Sequence, residues 1–577
     1  MGEALIPEIH DIGKLTNKKH NFEELNIDLN TATWKGIQEH HCSGNFTKYP
    51  TNLDTFLLCI ADSKASAVSR AVRGKGHAVY NVYKLWKPPR EKMTIPLIKT
   101  DKGIQEIINF IASKPTADEF FRKYERFLKE RSEDANPGCN ITSLYVHSKL
   151  TGQFYRILKS IKNKQIKDAD IKGKTKGEIS NLIRMVGNKW KITVLKVKIH
   201  FPQNPVRAKD MNVFKLMEEF IGDIKKRYPD NVMFSTSNEL LILSPVESNL
   251  LEYMENRAEK FGFWLEIKSE NQLIRGLNLE KMRNVSSKYF ELSPKINPPI
   301  CEICQLRKAS REIVEGEVIE HLCEKCFNIR NLGATLPKLA DWEKTGNPKV
   351  VYIKISLEMD ELVAILKKLY ISYLKEVGIT NAEEVVEIRF SLLSEFQTDY
   401  NEFLSALETK IINKYGEENV QQILKDFLCI KIEKTSEIKQ ILKIYSEYFK
   451  NFFPKFRENL SPIKVSLTCA NVKFPFIWNW KILDNPKDDI NVSLIGKGEM
   501  NLKAKQIDEL LNIKLPSIKL LHDLSRTSEI SKKLAWIMLN DKSEKQRYRE
   551  FEGLRKAILS SGIDYDDILI FAKIMGG

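Results

Sequence analysis

No apolar run in this sequence approaches the roughly 18 to 20 residues that a membrane span needs. With 42% hydrophobic and 29% charged residues it reads as a globular chain without membrane segments. Its first residues do not read as a secretory leader, so none is expected. Position 6, where a Met-Gly myristoylation signal needs Ser or Thr, holds Ile6, so a cytoplasmic location is expected. Cysteine is scarce, nine in 577 residues, and five of them (Cys42, Cys59, Cys139, Cys429, Cys469) are scattered without a pairing pattern, which argues against an oxidised framework. Acidic residues are outnumbered, 76 against 91 Lys and Arg, for a net charge of +15. Clustered positive charge favours polyanions through counterion release, although lysine-rich chains serve every kind of function. Single cores stop growing at about 250 to 300 residues, so the length implies several domains.

The remaining four cysteines, Cys301, Cys304, Cys323 and Cys326, form a C-x₂-C-x₁₈-C-x₂-C array. Each C-x₂-C turn grips one ion with two thiolates, and the stretch between is long enough for a small ribbon to bring in the second pair. The array predicts a structural zinc site. Two disulfides are the alternative, which a reduced compartment disfavours.

Apolar spacing predicts a mostly helical first domain over 1–150, with helices through Asp54 to Arg73 and Gly103 to Arg131. An Asn136-Pro137-Gly138 turn marks its end. A basic helical connector follows over 151–190, carrying Lys159, Lys162, Lys164, Lys167, Lys172, Lys174 and Lys176, either a solvated linker or a contact surface. From Lys191 the period becomes two. A strand to Ile199, a helix from Met211 to Arg227, a strand pair over Val232 to Pro245, a helix from Val246 to Lys260 and a strand from Phe263 to Ile267 give the order of a ferredoxin-like domain over 191–290. The ribbon occupies 291–345. The order then recurs over 346–502: a strand from Val350 to Leu357, helices from Glu358 to Glu376 and Glu383 to Tyr415, a strand from Phe427 to Ile432, a helix from Ser436 to Phe452 and a strand from Ile463 to Ala470. Amphipathic stretches at Glu529 to Leu539 and Glu544 to Leu559 predict a helical bundle over 503–577. The expected class is multidomain α+β.

The pair His10-Asp11, within His10-Asp11-Ile12-Gly13-Lys14, offers an imidazole nitrogen and a carboxylate oxygen to a divalent ion. Such mixed ligation suits Mn, Fe, Co, Ni or Zn, and Mg less well. An ion held there would activate water and polarise a phosphoryl oxygen for phosphodiester hydrolysis, with Lys14 placed to neutralise a phosphate oxygen. By itself the dipeptide reads as an ordinary hydrogen-bonded surface pair. Its company changes that: histidines crowd the first 41 residues, His40-His41 among them, and Asp62 falls on a predicted helix. His20 reads as a solvated loop residue. His147, beside Leu144 and Tyr145, reads as a core histidine more readily than as a ligand.

The His10–Lys14 segment, followed by His40-His41, Asp62, two palm-like orders and a four-cysteine ribbon between them, resembles the large subunit of type III CRISPR effector complexes, over nearly the whole chain. That resemblance implies a permuted HD domain acting as a metal-dependent nuclease on single-stranded DNA, with Mn, Ni, Co or Mg at its site, and makes His147 a candidate for the histidine that usually precedes the His-Asp pair. It also implies two palms that make cyclic oligoadenylates from ATP, and an antiviral ribonucleoprotein with guide RNA, target RNA and other protein subunits as partners.

The second palm departs from that pattern. A two-metal cyclase needs carboxylates at the end of its first strand and in a Gly-Gly-Asp-Asp hairpin. Here Ser356 stands where an acid is expected, with Glu358 as the nearby carboxylate, and the hairpin reads Ile423-Leu424-Lys425-Asp426-Phe427. Without the glycine pair, side chains obstruct the approach of a triphosphate. The first palm's Ser235-Thr236-Ser237-Asn238-Glu239 is a polar turn. The expected function is a type III large subunit with an HD nuclease and without oligoadenylate synthesis. The alternatives are an inactive RNA-binding scaffold of the same complex and a free-standing HD nucleotide phosphohydrolase.

Overall fold

Six small polar residues set where the early helices begin. Thr31, Asn52, Thr100, Thr116, Ser143 and Thr175 each accept a backbone N–H from three residues on, satisfying a donor that a helix start leaves free. They open α1 (Ala32–Glu39), α2 (Leu53–Ala65), α3 (Asp101–Ala112), α4 (Ala117–Glu130), α5 (Leu144–Ser160) and α6 (Lys176–Lys189). The computed structural model of the chain describes all residues except 1–4, 17–19, 24, 26, 28, 42–45, 67–73, 76, 89–97, 162–165, 291–297, 316–317, 333–335, 459–460, 513–562, 564 and 575–577. The helix expected from Gly103 to Arg131 is two helices, because Pro115 cannot continue one and Lys114 turns left-handed at φ 55°. The expected break at 150 falls inside α5, which runs on for another ten residues. Nor is 151–190 a solvated linker: Ile166, Ile171, Ile179 and Val186 are buried in the main core, while Lys159, Lys167, Lys172 and Lys189 face out with other polar residues.

Both faces of β1 (Lys191–His200) are buried in turn, Ile192 and Val194 in one core and Leu195, Val197 and Ile199 in the other. A five-stranded antiparallel sheet forms around it in the order β2 (Val232–Ser235), β3 (Glu239–Pro245), β1, β4 (Trp264–Leu273), β5 (Lys288–Phe290). Helices α7 (Asn212–Arg227) and α8 (Leu250–Phe261) make its crossings. The ribbon is the hairpin of β6 (Arg311–Glu315) and β7 (Val318–Leu322), followed by α9 (Glu324–Arg330) and α10 (Pro337–Thr345).

The second sheet has six strands, ordered β13 (Gly498–Leu502), β12 (Ile490–Leu494), β11 (Ile463–Asn471), β8 (Lys349–Leu357), β10 (Phe427–Ile432), β9 (Val420–Leu424). The four strands β11-β8-β10-β9 repeat the ferredoxin-like order of the first sheet, and β12 adds parallel to β11. β9, β12 and β13 were absent from the sequence reading because their runs are short and lack clear alternation. Around this sheet run α11 (Met359–Glu376), α12 (Ala382–Val385), the long α13 (Phe390–Tyr415), α14 (Glu437–Phe452), α15 (Pro454–Glu458), α16 (Phe476–Leu483) and α17 (Ile507–Asn512). The two stretches expected as a C-terminal bundle, Glu529 to Leu539 and Glu544 to Leu559, lie outside the described residues. The helix Tyr565–Ile574 packs on β13, with the Asp567 carboxylate accepting from the Asn501 N–H at 3.0 Å.

The two sheets share one apolar core, in which Phe214 of α7 meets Phe427 of β10 with ring centroids 5.4 Å apart. The helical first unit is joined to the second sheet through α13. The Ser143 N–H and hydroxyl both donate to Glu395, at 2.9 and 2.6 Å, and the Trp86 indole donates to Asp399 at 2.8 Å. On its other side α13 reaches the β2–β3 turn, where the Gln397 amide donates to the Ser235 carbonyl at 2.5 Å. No described helix is long and apolar enough to cross a membrane.

Candidate metal centre

Two short 3₁₀ turns, Pro7–Ile9 and Ile12–Leu15, hold His10 and Asp11 between them. Asp62 lies in the last turn of α2, His40 and His41 just past the end of α1, and His147 in the first turn of α5. Folding brings all of these together. The His10 Nε2 lies 3.4 Å from Asp11 Oδ2, 3.5 Å from Asp62 Oδ1 and 3.2 Å from His147 Nε2, while His147 Nε2 is 3.3 Å from Asp11 and 3.1 Å from Asp62. Across Asp11, the His40 Nε2 lies 3.5 Å from Oδ1, and His20 and His41 meet through their Nε2 atoms. Two donor sets result, His10-Asp11-Asp62-His147 and Asp11-His20-His40-His41, each with its donor atoms within 4.8 Å of one another and with Asp11 common to both.

Backbone carbonyls orient the rings. Pro7 O accepts from His10 Nδ1 at 2.9 Å, and Ile37 O from His40 Nδ1 at 2.8 Å, so both rings turn Nε2 inward. His147 Nδ1 faces the Glu133 carboxylate at 3.5 Å, the outer partner that commonly fixes a ligating imidazole. Asp11 Oδ1 and His40 Nε2 are buried without a hydrogen-bond partner, a costly arrangement for a purely structural cluster and a fitting one for metal donors. The donor chemistry, imidazole with carboxylate, fits a divalent transition ion.

The electrostatics of the two sets differ. Burial pushes the His147 imidazolium down, but Glu133, Asp11 and Asp62 outweigh it and hold its pKa up at about 10. His10 is raised likewise: burial opposes the shift, and Asp11 and Asp62 prevail. Against burial, Lys14 and the two rings in turn hold Asp11 well below the usual carboxylate range, and His10 and His147 do the same for Asp62. His20 is pushed down to about 3, chiefly by burial, and His41 is driven well below its ordinary value by burial and by His40, so those rings offer neutral lone pairs. Metal uptake at the first set therefore releases protons.

His20 is not the solvated loop residue that its sequence context suggests. Gly13 is the reason: a Cβ there would come within 2.1 Å of the His20 carbonyl oxygen, so only glycine lets that backbone approach and bring the ring in. Gly13→Ala should lower both the melting temperature and the metal content per chain; a variant with wild-type metal content would show that this approach does not position the centre. Lys14 also differs from its expected role. Its ammonium donates to Asp11 Oδ2 at 2.6 Å and is engaged with the centre's own carboxylate rather than free for phosphate. Glu133 was invisible in the sequence, since nothing local marks an acid that meets His147 only through tertiary packing.

The four cysteines Cys301, Cys304, Cys323 and Cys326 are buried together. The Cys304 and Cys323 sulfurs lie 3.8 Å apart, far beyond the roughly 2.05 Å of a disulfide. With zinc–sulfur bonds of about 2.3 Å, the edge of a tetrahedron of sulfurs is also about 3.8 Å. The group could hold a zinc ion. Its ribbon is tied to the first sheet's unit by Arg330, whose guanidinium donates to Asp210 at 2.7 and 3.0 Å, and by Asn212, which donates to the Ile329 carbonyl at 2.9 Å.

Among the described residues, the remaining positions form no ion site. Lys425 and Asp426 make the turn between β9 and β10, Ser356 is half-buried on β8 opposite Lys464, and Glu358 leads into α11. Asp426 is buried, its carboxyl is pushed up by burial, and it accepts from the Ser237 hydroxyl of the first sheet's turn at 2.5 Å. Among the described residues, neither Glu358 nor Asp426 belongs to a group of acids, histidines or cysteines close enough to share an ion.

No family model matches the chain, and no curated protein does. Solved structures do. A Csm1-Csm4 cassette in complex with one ATP is similar over 99% of this chain and 98% of that one, at TM-score 0.52 and 11% identity. Csm1 of T. onnurineus and an apo Csm1-Csm4 cassette are each similar over 99% of this chain and 98% of theirs, at TM-score 0.50 and 12% identity. At such identity the likeness is one of fold, and the fold that this chain resembles over nearly its whole length is that of Csm1, the type III CRISPR large subunit.

Proposed function

We propose that the chain is the large subunit of a type III CRISPR ribonucleoprotein, that its helical first unit is an HD-type nuclease hydrolysing single-stranded DNA with divalent metal, and that its two palms are structural. The observation that carries the nuclease reading is the convergence of six side chains, His10, His20, His40, His41, Asp62 and His147, on Asp11, with Asp11 Oδ1 and His40 Nε2 buried without hydrogen bonds. A bound divalent ion supplies an activated water and polarises the scissile phosphate. The chain's own residues do the rest. Asp11 lies between the two donor sets, Asp62 and the inward Nε2 atoms of His10, His40 and His147 complete them, and Glu133 holds His147 in place. The Csm1-like fold, the basic balance and the four-cysteine group support placing this nuclease in a multi-subunit complex on guide and target RNA rather than free in solution. Purification with neighbouring gene products, sequencing of bound RNA and assay of a labelled DNA strand with Mn²⁺ tests this; a metal-loaded complex that leaves the strand intact with target RNA present would replace the nuclease by a scaffold.

The cyclase is proposed lost. Two ions need several carboxylates around the transferring phosphate, whereas Asp426 faces a serine hydroxyl, and the nearby Lys354 ammonium bonds Asp484 at 2.5 Å and lies 4.3 Å from the Trp480 ring centre. Incubation with ATP and Mg²⁺ or Mn²⁺, guide and target RNA included, should yield no cyclic oligoadenylate by mass spectrometry. A product that disappears in Asp426→Ala would reverse this.

A further inference from the structure

Beside the metal centre lies a cavity of about 360 Å³ whose walls include Lys14, His41, Asp62, Arg131, Tyr80 and Phe46. Arg131, just past α4, is only 9% exposed, and its Nη1 is buried without a hydrogen-bond partner. A buried guanidinium nitrogen left unpaired is costly and calls for an anion. Lys14, the other cation of this wall, is engaged by Asp11. The Arg131 guanidinium lies 5.1 Å from the centre of the Tyr80 ring, and Tyr80 is 48% exposed, so one face of the ring is backed by a cation while much of the side chain stays open to solvent.

We propose that Arg131 and Tyr80 form the substrate-binding half of this centre, Arg131 clamping a phosphate of a single-stranded nucleic acid and Tyr80 stacking against one unpaired base. The guanidinium fork matches phosphate oxygens two at a time. An aromatic face accepts any base, but only one that is free of a duplex stack. Strand selectivity then comes from Tyr80, and phosphate placement beside Asp62 and His41 from Arg131. This rests on the nuclease reading above.

The test uses the full chain in its complex with guide and target RNA, loaded with Mn²⁺. Cleavage of a fluorescein-labelled decathymidylate gives KM and kcat, anisotropy with Ca²⁺ in place of Mn²⁺ gives affinity, and elemental analysis gives metal content. Arg131→Gln should raise both KM and the dissociation constant about ten- to a hundredfold with metal content unchanged, and Arg131→Lys should recover part of the loss. Tyr80→Ala should weaken the decathymidylate about tenfold but leave an abasic strand of equal length unaffected. If Arg131→Gln does not fold, Arg131→Lys and the half-exposed Tyr80→Ala decide. Variants that bind and cut like a cleaving wild type overturn this proposal alone, as does Arg131→Gln losing its metal. A wild type that loads Mn²⁺ but neither binds nor cuts the strand overturns the nuclease reading along with it.

Discussion

Asp11→Asn should abolish metal-dependent cleavage of single-stranded DNA, by at least about a hundredfold, since even outer partners of a metal site cost ten- to a hundredfold when replaced. Asp11 is common to both donor sets, and each of its oxygens faces a different histidine, Oδ2 towards His10 and His147 and Oδ1 towards His40. An amide presents one weaker oxygen and one NH₂ group, so whichever way it turns, one donor set faces hydrogens. The Lys14 ammonium would also lose its carboxylate, leaving a cation at the mouth of the centre. The chain should still assemble, because Glu395 and Asp399, which dock the first unit on α13, are untouched. An Asp11→Asn protein that cuts at the wild-type rate would remove the nuclease from this site.

Cys323→Ser should bring the zinc-to-protein ratio from near one to near zero and unfold the ribbon. Apparent zinc binding energies of about 10 to 16 kcal/mol in small zinc domains exceed anything this ribbon's core could supply, since that core consists of the cysteines themselves with Ile303 and Leu322, and Leu306, Ile313 and Phe327 at its margin. Loss of the ribbon would also strip Arg330 from Asp210, a buried pair whose disruption typically costs about 3 to 5 kcal/mol. The first sheet's unit should therefore melt earlier too, although it contributes no sulfur. Elemental analysis and a thermal melt with and without chelator check both parts. A retained zinc ratio in the variant would show that the ion is not held by this array.

How far the sequence carried depends on whether a signal is local. The period-two runs at β1, β8 and β11 and the cysteine spacing are local, and they point to the two sheets and the ribbon. β9 was hidden because Val420–Leu424 carries two glutamines in five residues, so its place was legible only through the Lys425-Asp426 turn beside it. In the metal centre, His10-Asp11, His40-His41 and Asp62 stood out by residue type. His20 required the backbone approach that Gly13 permits, and Glu133 and Arg131 required the path of the segment between α4 and α5 past the α2 end, which no pattern in sequence encodes. Gly152 conveys the same lesson. On the page it is a helix-weakening residue, yet its missing Cβ leaves room for Glu8, whose carboxylate would otherwise sit 2.0 Å away, and so lets the turn that carries His10 lie against α5.

The carboxylates of α13 bear on how this protein can be dissected. Glu395 and Asp399 are 2% and 1% exposed, and Ser143, Trp86, Lys84 and Lys87, which bond them, all belong to the first unit. A fragment starting after α5 would open this face to water, where the two carboxylates would be hydrated, but Tyr373 and Phe396 would lose the Tyr83 and Trp86 rings packed on them. The paired sheets thus carry an apolar face that the first unit covers, and an expressible truncation would need polar residues in place of these two aromatics. By the same reasoning, any natural chain of this fold that has shed its helical front should carry polar side chains at both positions.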